Sequence, residues 1–294
     1  MGKKTNPKYK NNAAYQHYFS KFMTLATVLF SWEGLPNNIP SRFIERQLFY
    51  EGYCLFYESP VYGLMASKTT KMELNPYGEP AKYQPFNPTD FSDGTFTDKN
   101  AVLIRNNHSM IPTYIYTDRY SAICADLDGS VIVNAKAQKT PIIVYCDEKT
   151  KYSLMQMYEM YDGNQPVIFG RKRGGMDGLG KIETISTGAP FNAKPMYDLK
   201  TDYENEYYTI LGIDNLPVSK RERLLVSEAE SNNELLNYFY NAMFEERKLA
   251  CDKINELFGK KYGFEVKVKE NKQKLFRSGN FSYNIDEGGV EDAE

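Results

Sequence analysis

A chain of 294 residues can bury one large core or two ordinary ones without disulfide staples. Its 36 basic and 38 acidic side chains nearly cancel, so any nucleic-acid surface must come from local segregation of charge. Cys54, Cys124, Cys146 and Cys251 are widely spaced with no C-x-x-C pair, and only His17 and His108 could join them, which argues against zinc and for small buried thiols in a reducing cytosol. No apolar run is long enough for a signal peptide or a membrane span, so a soluble protein without membrane partners is expected.

Residues 1–12 carry Lys3, Lys4, Lys8 and Lys10 with no acid and are broken by Pro7, the composition of a disordered basic arm whose use would be phosphate contact. From 13 to 32, Tyr15, Tyr18, Phe19, Phe22, Leu25, Ala26 and Leu29 recur at spacings of three and four, which predicts one helix stopped by Gly34 and Pro36. Ser41 is placed to cap a second helix over 42–50, with Glu45 near the position that completes a capping box. Three β-rich runs follow at 53–58, 64–73 and 101–106. The turn residues Pro76, Gly78, Pro80, Pro85, Pro88 and Gly94 between them predict a small antiparallel sheet or barrel. Residues 112–133 are ambiguous: Tyr116, Tyr120, Ile123 and Leu127 keep helical spacing, Asp128 and Gly129 interrupt it, and 131–133 would suit a strand equally.

Strands at 140–146, 166–170 and 181–186 with a helix over 151–161 make a β-α-β-β unit. Its last two strands read as a hairpin through 171–180, whose basic residues Arg171, Lys172 and Arg173 are either a solvated tip or a contact for a partner or nucleic acid. Residues 192–212 are the cleanest helix, with Pro195 in the first turn and Gly212 just past the end. Met196, Leu199, Tyr203, Tyr207 and Ile210 form its apolar stripe, and Asp198, Asp202, Glu204 and Glu206 leave the other side acidic apart from Lys200. The run 211–233 mixes Gly212 and Pro217 with Lys220, Arg221, Arg223, Glu222, Glu228 and Glu230. It is too long and too charged for a packed connection, which points to a functional loop or a solvated linker. Helical spacing resumes over 234–258 through Leu236, Tyr240, Met243, Ala250, Ile254 and Leu257, and 281–294 is a loose acidic tail.

No catalytic constellation emerges. The glycines of 171–180 lack the G-x-x-x-x-G-K-[ST] order and join two strands rather than opening a helix, so neither a nucleotide site nor another cofactor is expected. His108 beside Ser109 lacks a third member, and the DLDG run at 126–129 lacks the later glutamate of a calcium loop. The chain reads as a non-enzyme.

The polar loop, LFSWEGLP at 29–36, AQKTPIIV at 137–144, GNQPVIF at 163–169 and CDKINELFGKKYGFEVKVK at 251–269 together resemble, in order, the upper collar proteins of small short-tailed phages, also called portal or head–tail connector proteins. The resemblance implies an α+β portal-type subunit with long channel-lining helices, an SH3-like β module and a small α/β clip, assembling as a ring. It divides the chain into a basic arm (1–12), a wing (13–111), a first stem helix (112–137), a clip (138–190), a second stem helix (191–212), a channel loop (213–233), a returning wing helix and strand (234–270) and a tail (271–294). Gly129 falls where the family has a long helix.

Also implied are a stoichiometry of twelve, a place at the capsid vertex of the virion, and double-stranded DNA as cargo for packaging and ejection. A separate packaging ATPase, the capsid protein and a lower collar or tail protein would be partners, with a packaging RNA used by some relatives. Lys200 falls on a channel-facing lysine of the family, its alternative being an exposed ion pair with Glu204 four residues on, and Lys194 lies one position from a second, which Pro195 occupies. Lys220 and Arg221, with Arg223, match the basic start of the family's channel loop. The arm would meet nucleic acid, and Arg171, Lys172 and Arg173 would face the motor or tail. Twelve helices with axes about 8 to 10 Å apart close a ring whose bore is roughly 20 to 28 Å, wide enough for duplex DNA. The alternative reading is a soluble nucleic-acid-binding module, monomeric or a small oligomer, that uses its SH3-like sheet and basic arm.

Overall fold

The computed structural model describes residues 12–86, 95–138, 142–146, 151–153, 155–156, 167–171, 182–184, 190–213 and 226–271. The chain forms two units, one of residues 1–15 and 122–204, the other of residues 16–121 and 205–294.

In the larger unit, helix α1 (Ala13–Val28) ends sooner than its apolar spacing suggested. The last residues of the expected helix instead form strand β1 (Phe30–Glu33), which pairs antiparallel with β9 (Lys267–Glu270), Phe30 opposite Glu270 and Glu33 opposite Lys267. Dense aromatic residues satisfy a strand as well as a helix, and pairing with a segment 240 positions away is invisible to local periodicity. Helix α2 (Ser41–Glu51) begins at Pro40 without a side-chain cap. Ser41 does not cap it: its hydroxyl accepts the Trp32 amide at 3.1 Å and ties β1 to the helix start. Gly52 ends α2 at φ +82, its amide donating to the Leu48 carbonyl. A side chain there would also strike the Met110 carbonyl, so two constraints demand glycine.

Strands β2 (Tyr53–Ser59), β3 (Gly63–Leu74), β4 (Pro80–Phe86) and β5 (Ala101–Arg105) form an antiparallel sheet in the order β4-β3-β2-β5. Strand β4 was missed because Pro80 and Pro85 read as turn residues. It lies at the sheet edge, where a missing backbone N–H breaks no ladder. One face of the sheet, with Phe56 and Ile104, packs with Ile44 and Leu48 of α2 and with Ile254 and Phe258. The other carries Leu55, Tyr57, Tyr83 and Phe96. Each such side chain contributes about 1.5–3 kcal/mol on burial.

Helix α5 (Val226–Ile254) starts well before residue 234, so part of the expected loop is helix; only 214–225 lie between Ile213 and its first turn. A π-helical turn (Asn255–Gly259) and one further turn (Lys260–Tyr262) carry the chain to β9.

In the smaller unit a three-stranded sheet has β6 (Ile142–Cys146) in the centre, parallel to β7 (Val167–Arg171) and antiparallel to β8 (Ile182–Thr184). The expected hairpin between the last two strands does not form. They flank β6 on opposite sides, and Arg171 closes β7 opposite Cys146. Of the expected helix at 151–161, residues 151–153 and 155–156 are described and helical.

Two long helices run through the unit boundaries. Helix α3 (Tyr114–Ala137) is continuous through Gly129, which the sequence left in question, and takes in 131–133, which had suited a strand. Nothing lies within 4 Å of a Cβ built on Gly129, so it costs the helix only about 1 kcal/mol relative to alanine. Residues 126–129 therefore wind as helix and make no cation-binding loop. Helix α4 (Ala193–Ile210) has Pro195 in its first turn and Gly212 at φ +68 beyond its end.

Candidate functional site

Within the smaller unit α3 and α4 run antiparallel, held by polar contacts. Lys200 of α4 donates its ammonium to Asp128 Oδ1 of α3 at 2.8 Å and lies over the Tyr197 ring at 4.4 Å, leaving the residue 9% exposed. Further along, Asn134 of α3 donates to the Pro190 carbonyl at 3.0 Å and accepts the Asn192 amide at 2.9 Å. Within the larger unit the same two helices meet where the Thr117 and Tyr207 hydroxyls lie 2.8 Å apart, and Tyr207 donates to the Phe22 carbonyl at 3.2 Å. Burial pushes the Tyr207 phenol well above its ordinary pKa.

The outer surface of α4 has a different chemistry. Lys194, Asp198, Asp202 and Glu206 recur every four residues, which places them in one row, and all are exposed. No described cation lies within ion-pair distance of the three carboxylates. Like charges at this spacing weaken a helix by about 0.2–0.5 kcal/mol per pair. Lys194, in the first turn, opposes the helix dipole by about 0.3–1 kcal/mol. The row does not serve the helix.

Of the basic residues singled out in the sequence, the structure places Lys194 on this exposed row and Lys200 in the seam between α3 and α4. Leu199, expected in the apolar stripe, is instead exposed, while Tyr207 is fully buried. Lys3, Lys4, Lys8, Lys10, Lys172, Arg173, Lys220, Arg221 and Arg223, together with residues 1–11 of the expected arm and the expected tail at 281–294, lie outside the described residues.

The sequence reading missed a buried polar centre in the larger unit. Arg247 of α5 meets Glu45 of α2 through two hydrogen bonds, donates to the Asn106 carbonyl and side chain at 3.1 Å and to the Met243 carbonyl at 2.9 Å, and lies over the Phe30 ring. The Trp32 indole N–H donates to Glu45 Oε1 at 2.8 Å. Every guanidinium donor is used. A signal was available: Arg247 stands in the apolar stripe of α5, between Met243 and Ala250, and Glu45 stands beside Ile44 and Leu48 on the buried face of α2. A charge in such a row needs a buried partner.

The cysteines behave as expected where described: Cys54, Cys124 and Cys251 are buried thiols outside any disulfide, and burial pushes the Cys54 and Cys251 thiols up to about 12. His108 is exposed, with Nδ1 3.5 Å from Glu246. Among the described residues no cluster of three His, Cys, Asp or Glu side chains could hold a metal, and no helix is long and apolar enough to cross a membrane.

The sequence model of the family described as Phage Connector (GP10) matches residues 3–275. Among solved structures, the chain is similar to a chain of the portal and tail of native bacteriophage P68, at 15% identity over 96% of this chain and 97% of that one, with a TM-score of 0.45. It is also similar to an HK97 family phage portal protein from Corynebacterium diphtheriae, at 6% identity over 94% and 99% of the two chains, with a TM-score of 0.40.

Proposed function

The chain belongs to the phage connector family, which makes it a portal, or head–tail connector, whose partners are further copies of itself, the capsid and the tail; from that premise we propose that about twelve copies close a ring around an axial channel for double-stranded DNA at the capsid vertex. The observation that carries this reading is the exposed row on α4. Repeated around a ring, Asp198, Asp202 and Glu206 coat the wall with negative charge that repels phosphate, and Lys194 adds a sparse positive ring at one end. A duplex in such a bore is centred and free to slide. The ring performs no chemistry of its own: a separate ATPase drives the DNA inward.

Lys220, Arg221 and Arg223 contact phosphate from the loop that follows α4 and resist backward slippage. Such contacts are independent of base sequence and release about 0.9 counterion each, so retention falls steeply with salt. Lys200 is the remaining channel candidate, with its ammonium already engaged by Asp128. The arm with Lys3, Lys4, Lys8 and Lys10 meets nucleic acid, DNA or a packaging RNA. Arg171, Lys172 and Arg173 dock the motor or the lower collar.

The test is electron microscopy of purified particles carrying Lys194→Cys labelled with a maleimide gold cluster. A closed ring of about a dozen chains with density at the axial hole is expected. A monomer under all assembly conditions, or label confined to the outer rim, overturns the reading.

A further inference from the structure

The larger unit carries a groove that the portal reading leaves without an occupant. It runs across Phe43 and Pro40 at the start of α2. On one side is a cavity of about 500 Å³ whose wall includes Met23, Thr27 and Val28 of α1, and on the other one of about 360 Å³ against Met65 and Phe86 of the sheet. The floor is apolar and no carboxylate is among the described residues that line either half. Arg42 and Arg46, four residues apart on α2, stand exposed on its rim, and no described carboxylate lies within ion-pair distance of either. Two like charges at that spacing cost the helix stability and are tolerable where an anion arrives to neutralise them. Lys68, on the far rim, is already paired with Glu51 at 3.0 Å.

The chain itself supplies a segment of matching chemistry and delivers it to this place. Strand β9 ends beside the groove: the Asn271 amide donates to the Leu29 carbonyl and its side chain to the carbonyl of Val28, a groove residue, both at 3.0 Å. The residues that follow include FSYNIDEGGVEDAE at 281–294, with Phe281, Tyr283 and Ile285 followed by Asp286 and Glu287, and no basic residue. The 15 residues from Asn271 to Asp286 span at most about 50–54 Å, more than enough to cross the groove, and closing so short a tether costs little.

We propose that residues 281–287 dock in this groove of their own subunit, Phe281, Tyr283 and Ile285 covering the apolar floor and Asp286 and Glu287 meeting Arg42 and Arg46.

Photo-crosslinking of the assembled full-length protein tests this, with Gln47→p-benzoylphenylalanine on the far rim. Crosslinks to peptides within 281–287 are expected. Arg42→Glu with Arg46→Glu should lower their yield about five-fold, since two exposed pairs are worth about 1 kcal/mol together, and Asp286→Arg with Glu287→Arg in the same chain should restore it. Assemblies mixed from isotopically light and heavy chains identify the donor. Crosslinks confined to one isotope support docking within the subunit. Mixed-isotope crosslinks assign the groove to a neighbouring copy and overturn it, as do the absence of tail crosslinks or a yield indifferent to the charge changes.

Discussion

Arg247 Nε and Nη2 lie 2.9 and 2.8 Å from the two carboxylate oxygens of Glu45, in a pair whose side chains are each 2% exposed. The pair joins α5 to α2 across 202 positions of sequence, and Asn106 and Trp32 extend it to the end of β5 and to β1. In so dry a place the pair adds little net stability over well-packed apolar residues, but either charge left alone is costly.

Arg247→Met should therefore destabilise the protein by about 3–5 kcal/mol, because the Glu45 carboxylate would stay buried without its cation. Glu45→Met combined with Arg247→Met should lose distinctly less than the sum of the two single changes. Urea unfolding at fixed protein concentration measures both, concentration being held because assembly itself contributes to stability. Additive losses would show that the two residues do not act as a unit.

What the sequence revealed and what it hid divide along one line: local against long-range. The helices over 41–51 and 193–210 and the strands around 53–59, 63–74 and 101–105 were legible because their periodicity and their punctuation by residues such as Pro76, Gly78 and Gly212 are local. Strand β1 was hidden because its partner β9 lies at the other end of the chain, and β4 because proline is read as a turn unless an edge position is known. The order β7-β6-β8 could not be read from three short apolar runs, since nothing in them says which is central. At the candidate site, the acidic side of α4 was visible as Asp198, Asp202, Glu204 and Glu206, of which Glu204 is half-buried and the other three are exposed. The seat of Lys200 against Asp128 was not, because it depends on how α3 pairs with α4.

That seat leads to a prediction that separates two roles for Lys200. Lys200→Met and Asp128→Asn should each destabilise the protein by about 1.5 kcal/mol, the low end for a charged hydrogen bond because Asp128 is partly exposed. If pairing the helices is the main task of Lys200, the two variants should match in thermal midpoint and in the salt dependence of DNA retention. A change in the salt dependence of retention with Lys200→Met alone would assign the ammonium to phosphate instead.

Gly52→Ala meets both a left-handed backbone and the Met110 carbonyl, and neither obstacle is the far end of a flexible side chain. Backbone strain of this kind costs about 1–3 kcal/mol before the clash is counted. The thermal midpoint should fall by several degrees, whereas Gly129→Ala, in open space at mid-helix, should raise it slightly. A neutral Gly52→Ala would mean that the turn from α2 into β2 can relax.

Cys54 and Cys251 keep their protons in the folded protein up to about pH 12, while in the unfolded chain such thiols ionise near 9. The folded pKa being the higher, their contribution to stability is intact below about pH 9 and is lost as the pH climbs toward 12. Urea midpoints at pH 7.5 and 10.5 should therefore differ less for Cys54→Ala with Cys251→Ala than for the parent protein. Both thiols should resist iodoacetamide at pH 8.5 until urea is added. Fast alkylation of Cys54 in the native protein would contradict its burial.

The acidic row on α4 yields the sharpest functional prediction. Asp198→Lys and Asp202→Lys, made together, leave the buried seams of α4 untouched, since both side chains are exposed and no described cation pairs with them. Ring formation and thermal midpoint should stay close to those of the parent. In a twelvefold ring, however, the change converts two rings of negative charge into two of positive charge, and a duplex that slid now meets about two dozen new cations. DNA transit should slow at low salt and recover as salt rises, read as the rate of genome ejection from assembled particles between 50 and 300 mM salt, a range over which about six phosphate contacts lose several orders of magnitude in affinity. Unchanged ejection at every salt concentration would place α4 away from the DNA path and remove the main support for the sliding channel.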